Sequence, residues 1–346
     1  MRVRLRQLSA IGTPGLVTVV VPCLNYGRYL PRALDSVMRQ SYANWECIVS
    51  DDGSTDDTAS VVASYARRDT RIRYIFQRNR GLSAARNRAL LASQGTYIQF
   101  LDADDLIESR KLESHVRYLE EHDDVGVVYS PARYFRTGNE EDRRYSMGEP
   151  DVPWMPETSG VGPSLVSALS RTNIMAVNCA LVRRSVVARV GLFDERLRAL
   201  EDWDYWMRCA AAGVRFQYVD SGGTYALVRL HALSMTNDKE RMTRALVQIH
   251  RRIARTAPGS RVQMTRLADT VKTLSVIQAT TRKPISGLLT ALYAGVGLGQ
   301  GRFALKYLVC FLLMPLIGSE RFADFLFDIP LRNVIAGAFF NRKVKD

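Results

Sequence analysis

The sequence has little cysteine, no apolar run long enough to cross a bilayer, and no apolar segment typical of a secretory signal. Its cysteines have neither C-x-x-C spacing nor the density of a disulfide scaffold, which favours a reduced, cytosolic environment. Met1–Leu16 carries three arginines without a continuous apolar segment, so no secretory signal is expected. We therefore expect the folded part of the chain to face the cytoplasm. The five cysteines are Cys23, Cys47, Cys179, Cys209 and Cys310.

Two binding signatures are also missing. The first predicted strand is followed by Cys23-Leu24-Asn25-Tyr26-Gly27 rather than by G-x-G-x-x-G, which argues against an NAD-dependent oxidoreductase. The basic C-terminal third has neither zinc-ligand spacing nor an RNP-like aromatic pattern, so a nucleic-acid partner is not expected. Strong, salt-dependent retention of nucleic acid would revive that alternative.

The formal charge of +13 is unevenly distributed. Residues 1–240 hold 31 Lys and Arg against 30 Asp and Glu, whereas residues 241–346 hold 17 against 5. The basic residues of the second part are interleaved with apolar stretches, a pattern that fits an anionic membrane surface better than a nucleic acid. The basic character therefore belongs to the C-terminal third.

No segment of this third resembles a span of roughly 20 apolar residues. Pro284–Gly301 is uncharged but carries five glycines, and Phe303–Ile317 is interrupted by Lys306 and Pro315. We expect the segment to lie in the membrane interface, although it could instead close the core, form a dimer surface or make a re-entrant hairpin. The apolar side would be Phe303, Leu305, Leu308, Leu312 and Phe322, with Arg302, Lys306, Arg321, Arg332, Arg342 and Lys343 at the headgroups.

The first part of the chain alternates short apolar runs with helical patterns, which is typical of βαβ units on a mostly parallel sheet. With 47% hydrophobic residues among 346, the chain can bury a large core. We predict an α/β domain over residues 1–236 and a basic, apolar helical region over residues 237–346. The predicted strands are Val17–Val21, Trp45–Val49, Ile72–Phe76, Tyr97–Leu101 and Val125–Tyr129, and the predicted helices are Leu30–Gln40, Thr55–Arg67, Ser83–Ser93 and Glu108–Glu121.

Local chemistry marks some boundaries of these elements. Ser54 and Asp57 have the spacing of a capping box at a helix start, and Gly95 suits a helix C-terminus. Residues 137–160 are rich in charge, Gly and Pro, which predicts a surface loop.

Acidic residues follow two of the predicted strands. In open parallel sheets, ligands bind beyond the carboxyl ends of the strands, so Asp51-Asp52 and Asp102-Ala103-Asp104 are candidate site residues. Residues i and i+2 of an extended chain share a face, and paired carboxylates suit Mg²⁺ or Mn²⁺ that also binds substrate phosphates. For Asp-x-Asp alone, a solvated turn that caps the next helix is the competing interpretation.

Taken together, the ordered motifs of residues 15–235 closely resemble the family-2 glycosyltransferases, which have the nucleotide-binding GT-A fold. The final third matches no pattern of that kind. The motifs are Val17-Thr18-Val19-Val20-Val21-Pro22 with Asn25-Tyr26, Ser36-Val37 to Gln40-Ser41, Asp51-Asp52-Gly53-Ser54-Thr55-Asp56, Asn79 to Asn87, Gly95-Thr96-Tyr97-Ile98, Asp102-Ala103-Asp104-Asp105, Gly191-Leu192-Phe193-Asp194 and Glu201-Asp202.

The resemblance implies a set of residues at the donor nucleotide. Asp51 or Asp52 would hydrogen-bond a uracil-type base, and the backbone around Pro22 and Asn25 would line the nucleoside pocket. The alternative is that the two aspartates only end a strand and favour the next helix N-terminus. Arg86, next to Asn87, resembles the family's residue near the nucleotide, yet the pair could equally be a surface cation and a buried amide cap.

The resemblance also implies a metal site and a base. Asp102, which also lies on the donor side, and Asp104 would hold Mn²⁺ or Mg²⁺ on the donor diphosphate, and His231 resembles a histidine that completes this metal shell in some relatives. A lone histidine on a loop is otherwise more often a surface group. Asp202 matches the general base, and Glu201 would raise its proton affinity by like-charge repulsion.

Glu201 and Trp203 flank the expected base and are assigned to the acceptor side. Trp203 is also typical of packing, as are Trp206 and Arg208 nearby, and acidic residues are ordinary in the first turn of a helix.

The function implied is an inverting, metal-dependent hexosyl transfer from a nucleotide-diphosphate sugar, with a UDP-sugar favoured, to a glycan or lipid-linked acceptor. The context would be bacterial cell-surface polysaccharide or glycolipid assembly at the inner face of the plasma membrane. The alternative is a non-catalytic nucleotide-sugar-binding protein with a membrane-docking tail, against which the intact set Asp102, Asp104 and Asp202 argues. The sequence does not indicate the sugar, the linkage or the oligomeric state.

Overall fold

A computed structural model of the chain describes residues 12–146, 151–256, 261–280, 284–301, 303–305 and 307–308. The chain divides between His231 and Ala232 into two compact units. We call them the N-terminal unit and the C-terminal unit. The division into domains at residues 1–236 and 237–346 stays a prediction.

The N-terminal unit is a mixed α/β structure with the strands β1 Thr13–Cys23, β2 Trp45–Asp51, β3 Ile72–Phe76, β4 Gly95–Phe100, β5 Leu106–Ile107, β6 Val125–Tyr129, β7 Ala132–Arg136, β8 Asn139–Arg144, β9 Ala180–Arg183, β10 Arg215–Tyr218 and β11 Ala226–Leu230. Seven of these strands form the main sheet, in the order β10-β6-β9-β4-β1-β2-β3. Its helices are α1 Leu30–Met38, α2 Thr58–Arg68, α3 Leu82–Ala92, α4 Lys111–Glu121, α5 Pro163–Arg171, α6 Arg184–Val190 and α7 Glu201–Ala211.

The central strands are buried because their runs of apolar residues face helices on both sides. Every residue of β2 is buried, and β1 is buried from Val17 to Cys23. Helix α1 packs Leu30, Leu34 and Val37 into the same core, at the spacing expected for one helical face. This core is the platform on which the loops after the strands are held.

The topology brings the acidic loops to one edge of the sheet. Strand β1 pairs in parallel with β2 and with β4, and β2 pairs in parallel with β3, so their carboxyl ends share that edge. Strand β9 instead runs antiparallel between β4 and β6. Its first residues, just after Asn178, therefore lie beside the end of β4, where Asp102 begins the acidic loop.

A smaller four-stranded sheet has the order β5-β11-β7-β8. Strand β11 pairs in parallel with β7 and antiparallel with β5, and β7 and β8 form an antiparallel hairpin. This sheet places Arg229 and the residue after β11, His231, near the loop of residues 102–105.

Three local predictions were wrong. Ser54 and Asp57 form no capping box, because α2 begins at Thr58 and its first turn receives no side-chain cap from Asp57. Gly95 begins β4 rather than ending α3, which stops at Ala92. Within the predicted loop of residues 137–160, Asn139–Arg144 is strand β8.

The described part of the C-terminal unit is mainly helical, with α8 Lys239–Thr256, α9 Arg261–Thr280 and α10 Pro284–Gly297. Its core contains Val247, Leu267, Val271, Leu274 and Ala294. Among the described helices, none combines the length and the apolar character that crossing a bilayer requires. Arg302, Lys306 and residues 309–346, which include most of the predicted membrane-facing side chains, lie outside the described residues.

Candidate active site

The Asp-x-Asp loop begins where β4 ends. The Asp102 amide donates to Asn178 Oδ1 at 2.9 Å, so the turn that precedes β9 fixes the start of the loop. Asp102 Oδ1 accepts a hydrogen bond from Arg86 Nη2 at 2.5 Å, while the Asp102 side chain keeps 31% of its surface exposed. Burial raises the pKa of Asp102, and the Arg86 guanidinium opposes this shift.

Asp104 and His231 meet although 127 positions separate them in the sequence. His231 Nε2 lies 2.8 Å from Asp104 Oδ2, and only 7% of the histidine side chain is exposed. Its ring packs against Tyr29 and Tyr26, with ring centroids 4.7 and 5.7 Å apart. The structure thus places His231 at the Asp-x-Asp loop with its orientation fixed by two aromatic rings.

Asp105 anchors this loop rather than facing outward. Its carboxylate accepts hydrogen bonds from Asn178 Nδ2 at 2.5 Å and from the Arg229 amide at 2.7 Å. Burial, reinforced by the neighbouring carboxylates of Asp104 and Asp102, raises the pKa of Asp105 well above its usual value. Asp105 therefore ties the loop to the turn that precedes β9 and to strand β11.

Arg86 connects the two halves of the site. Its side chain is 1% exposed and forms ion pairs with Asp102 and with Glu201, the first residue of α7. The family resemblance predicts that Arg86 lies at the donor nucleotide. In the structure its guanidinium is committed to two carboxylates, so it couples the Asp-x-Asp loop to the start of α7.

Asp202 lies in the first turn of α7. The residue before the helix, Leu200, has a left-handed backbone with φ 55°, which is uncommon for a non-glycine residue and turns the chain into this helix. Asp202 Oδ1 accepts from the Trp203 amide at 2.7 Å, and Oδ2 accepts from Asn173 Nδ2 at 3.2 Å. Burial, followed by repulsion from Glu201, raises the pKa of Asp202 to about 7.

The other residues near this turn are packed. Trp203 is 6% exposed and donates from Nε1 to the Leu169 carbonyl at 2.8 Å, so its ring packs against α5. Trp206 is fully buried, and Arg208 pairs with Asp204. Of the two residues assigned to the acceptor side, Glu201 is also buried and held by Arg86.

The residues assigned to the nucleotide surround the carboxyl ends of β1 and β2. Pro22 is buried in β1, whereas Asn25 is exposed, has φ 56° and accepts from the Thr55 amide at 2.7 Å. Asp51 accepts from the Ser54 amide at 2.7 Å and from the Tyr74 hydroxyl at 2.7 Å.

Asp52 is equally occupied by the protein. Its carboxylate accepts from Gln77 Nε2 at 2.6 Å, the Arg80 amide at 2.9 Å and the Gly81 amide at 2.7 Å. Asp51 and Asp52 are only 1% and 2% exposed. They shape the loops at this edge of the sheet, and contact with a base stays a prediction.

The side-chain atoms around the Asp-x-Asp loop are suitable ligands for a divalent cation that is shared with a substrate. Asp102 and Asp104 offer hard oxygen atoms, and His231 adds an imidazole within 2.8 Å of Asp104. Within the described residues, no group of three or more His, Cys, Asp or Glu side chains forms a metal cage on its own. Mg²⁺ and Mn²⁺ commonly bind through one or two carboxylates together with substrate phosphates, so the arrangement suits them.

Three polar residues that the sequence did not predict support the carboxylates of the site. Asn173 donates to Asp202, and Asn178 contacts both Asp102 and Asp105. Arg229 donates from Nε to the Asp104 carbonyl at 2.7 Å. No local sequence pattern marks Asn173, Asn178 or Arg229.

Residues 18–191 match the family model described as Glycosyl transferase family 2. The match ends before Glu201, Asp202 and His231. The uncharacterized glycosyltransferase EpsJ of Bacillus subtilis is 32% identical over 214 residues, which cover 60% of this chain and 59% of EpsJ. The glycosyltransferase GlyA of Streptococcus pneumoniae is 42% identical over 117 residues, 33% of this chain and 17% of GlyA. The chain thus spans only part of the length of these relatives.

Solved structures share the fold at low identity. Staphylococcus aureus TarS 1–349 with UDP-GlcNAc aligns with a TM-score of 0.55 and 17% identity, covering 93% of this chain and 90% of that one. The mannosyltransferase PcManGT of Pyrobaculum calidifontis, solved with GDP-Man and Mn²⁺, aligns with a TM-score of 0.53 and 20% identity, covering 97% and 92%. These likenesses confirm the predicted α/β GT-A fold.

Proposed function

The chain belongs to glycosyl transferase family 2, and from this premise we propose that it transfers a sugar with inversion from a nucleotide-diphosphate donor to an acceptor hydroxyl. The observation that carries the proposal is Asp202, a carboxylate whose pKa is raised to about 7 beside a second acidic group. A base with a pKa near the working pH suits proton abstraction from a hydroxyl.

Asp202 is the group that takes the proton of the attacking hydroxyl. Its two oxygens are held by the Trp203 amide and by Asn173, so the carboxylate keeps a fixed orientation. The attacking oxygen forms a bond to the anomeric carbon on the face opposite the bond that breaks to the nucleotide diphosphate. Attack from that face inverts the configuration without a covalent enzyme intermediate.

The donor diphosphate lies at Asp102 and Asp104 in this proposal. A bound Mn²⁺ or Mg²⁺ would neutralise the charge that develops on the departing diphosphate. Asp102, Asp104 and His231 are the protein groups that would hold it, and Arg86 and the Asn178 side chain keep Asp102 in position. A UDP-sugar is favoured, in keeping with the UDP and UDP-GlcNAc in the TarS structures, while PcManGT was solved with GDP-Man.

The acceptor is a glycan or lipid-linked saccharide of a bacterial surface polymer or glycolipid. We place the protein at the inner face of the plasma membrane, bound through the C-terminal unit. The support is the excess of 17 basic over 5 acidic residues in residues 241–346 and the exposed apolar side chains Leu289, Leu292 and Leu305.

A screen of nucleotide release tests the proposal. The full chain is incubated with uridine, guanosine and thymidine diphosphate sugars, each with Mg²⁺, with Mn²⁺ or with a chelator. We expect release from one donor class and only with a divalent cation, and NMR of the product should show an inverted anomeric carbon. Donor binding without turnover for any donor and acceptor mixture would favour a non-catalytic nucleotide-sugar-binding protein.

A further inference from the structure

An arginine-rich cavity of about 360 Å³ opens on the N-terminal unit beside β11. It shares no residue with the groups assigned above to the nucleotide, the metal or the base. Its lining combines three cations with one carboxylate. The lining residues are Arg28, Tyr29, Arg32, Thr137, Glu140 and Arg229.

Arg229 is the fixed part of this cavity. Its side chain is 2% exposed, and its guanidinium carbon lies 5.2 and 4.6 Å from the ring centroids of Tyr29 and Phe135. Nε donates to the Asp104 carbonyl, while Nη2 has no hydrogen-bond partner in the part of the chain that is described. An unpartnered donor on a buried cation is costly, so a rigid guanidinium that lines a cavity is suited to an anionic ligand.

Glu140 partly fills the role of such a ligand. Its carboxylate pairs with Arg32 and lies 4.0 Å from Arg229 Nη1. Arg28, whose guanidinium carbon lies 4.5 Å from the Tyr29 ring centroid, is exposed beside them. The lining therefore holds three arginines against one carboxylate, and this excess of positive charge among the lining residues suits an incoming anion.

We propose that this cavity binds a phosphate group of the acceptor substrate, which displaces Glu140 from Arg32 and Arg229. The inference rests on the proposed transferase function and names the chemical class of its acceptor. Arginine forks match phosphate oxygens in pairs, and a phosphate offers more charge and more acceptor oxygens than one carboxylate.

The position of the cavity favours a phosphate of the acceptor over a phosphate of the donor. The donor diphosphate is assigned to the carboxylates of Asp102 and Asp104, whereas Arg229 touches Asp104 only through its backbone carbonyl. A phosphate in the cavity would lie at the edge of the metal site without competing for it. The phosphate could belong to a glycan that carries phosphodiesters or to a lipid that carries the acceptor sugar.

Direct binding tests the cavity without any turnover. The full chain is titrated with inorganic phosphate by calorimetry, with chelator present and donor absent. Arg28 and Arg32 are exposed to solvent, which screens their charges, so we expect Arg28→Gln and Arg32→Gln each to weaken phosphate binding by about threefold to tenfold.

Glu140→Gln should tighten phosphate binding because it removes the competing carboxylate. Arg39→Gln, an exposed arginine after the end of α1, is the matched control and should bind like the wild type. Equal affinities in all four variants and the wild type would overturn the proposal.

Two further arms identify the source of the phosphate. If it belongs to the acceptor, Arg28→Gln/Arg32→Gln should raise the acceptor KM and leave donor affinity unchanged; a matching loss of donor affinity would overturn the acceptor assignment. Binding of a soluble dialkyl phosphate that weakens in the same variants points to a phosphodiester glycan. Binding to phosphatidylglycerol vesicles that weakens in the same variants, without binding of the dialkyl phosphate, points to a lipid headgroup. Phosphate binding that follows the variants in a protein without transferase activity would contradict the proposed function and leave the anion site standing.

Discussion

At the scale of single residues, turnover should be most sensitive to a substitution of Asp202. Asp202→Asn keeps the shape and the hydrogen bond to the Trp203 amide but removes the basicity. We expect kcat to fall by about two to four powers of ten while donor affinity stays within about twofold of the wild type. Steady-state kinetics and calorimetry measure the two quantities.

Asp123→Asn is the control for that substitution, since the Asp123 side chain is 99% exposed. It should leave both quantities unchanged. Turnover of Asp202→Asn at the wild-type rate would return the Glu201-Asp202 pair to a structural role.

The raised pKa of Asp202 predicts a pH dependence. A base works in its deprotonated form, so kcat/KM should rise with pH and level off above about 7, the pKa to which burial and Glu201 raise this group. Glu201→Gln removes the like charge and leaves Arg86 to favour the Asp202 carboxylate, so the acidic limb should move to lower pH. A pH–rate profile of both proteins checks the direction, and an unmoved limb would contradict the coupling.

Donor binding should depend on a divalent cation. Asp102 and Asp104 alone repel a diphosphate, so a chelator should weaken the binding of a nucleotide diphosphate by about tenfold or more. Calorimetry with and without Mn²⁺ measures the difference, and Asp104→Asn should reduce it. Equal affinity with and without chelator would remove the metal from the proposal.

At the scale of elements, Arg86 joins α3, the end of β4 and the start of α7 through two ion pairs. Arg86→Met would leave two carboxylates close together without their shared cation. Removing one partner of a buried ion pair typically costs about 3–5 kcal/mol, and we expect the free energy of unfolding to fall by about that amount. Urea denaturation followed by circular dichroism measures it.

Arg80 provides the matched comparison for Arg86. It pairs with Glu195 at 2.8 Å, but the two side chains are 53% and 30% exposed. Arg80→Met should therefore cost no more than about 1 kcal/mol. Similar losses for both variants would mean that Arg86 contributes no more than a surface ion pair.

Elements with strong local patterns were predicted well. Ile72–Phe76 and Val125–Tyr129 have the predicted bounds, because short apolar runs between turn residues leave few alternatives. The capping box failed in part for a non-local reason: Ser54 Oγ accepts from the Asn25 amide, 29 positions away, while the Ser54 amide donates to the nearby Asp51. The insertion of β9 between β4 and β6 is also non-local, since no periodic pattern encodes which strands pair.

The residues of the candidate site also fall into those that a sequence pattern marks and those that only the fold brings together. Asp102, Asp104, Asp202 and His231 stand out in the sequence through motifs and family resemblance. Their supporting groups do not, because Asn173 and Asn178 act on partners 29 and 76 positions away. Only the folded sheet brings those amides to the carboxylates. The same holds for Arg86, whose second carboxylate lies 115 positions away.

At the scale of the whole molecule, the C-terminal unit combines a net positive charge with exposed apolar side chains. Residues 241–346 carry a net excess of positive charge, while the described helices of this unit expose large apolar side chains. Added salt weakens the attraction of basic side chains to anionic lipid but does not weaken apolar insertion. Membrane binding by a surface that uses both should therefore fall when salt is added and also when apolar side chains are replaced.

We therefore expect the full chain to float with vesicles that contain anionic lipid, and less so at high salt. Leu289, Leu292 and Leu305 are 63%, 41% and 66% exposed, so replacing all three by Gln should spare the core. Since burying a leucine contributes about 1.5–3 kcal/mol, even partial insertion of three predicts a loss of vesicle affinity of about tenfold or more. Phe76→Gln, at a site that is 53% exposed in the N-terminal unit, is the control and should float like the wild type. If the wild-type chain ignores anionic vesicles at low salt, these side chains serve packing or association with another protein, and the membrane assignment is wrong.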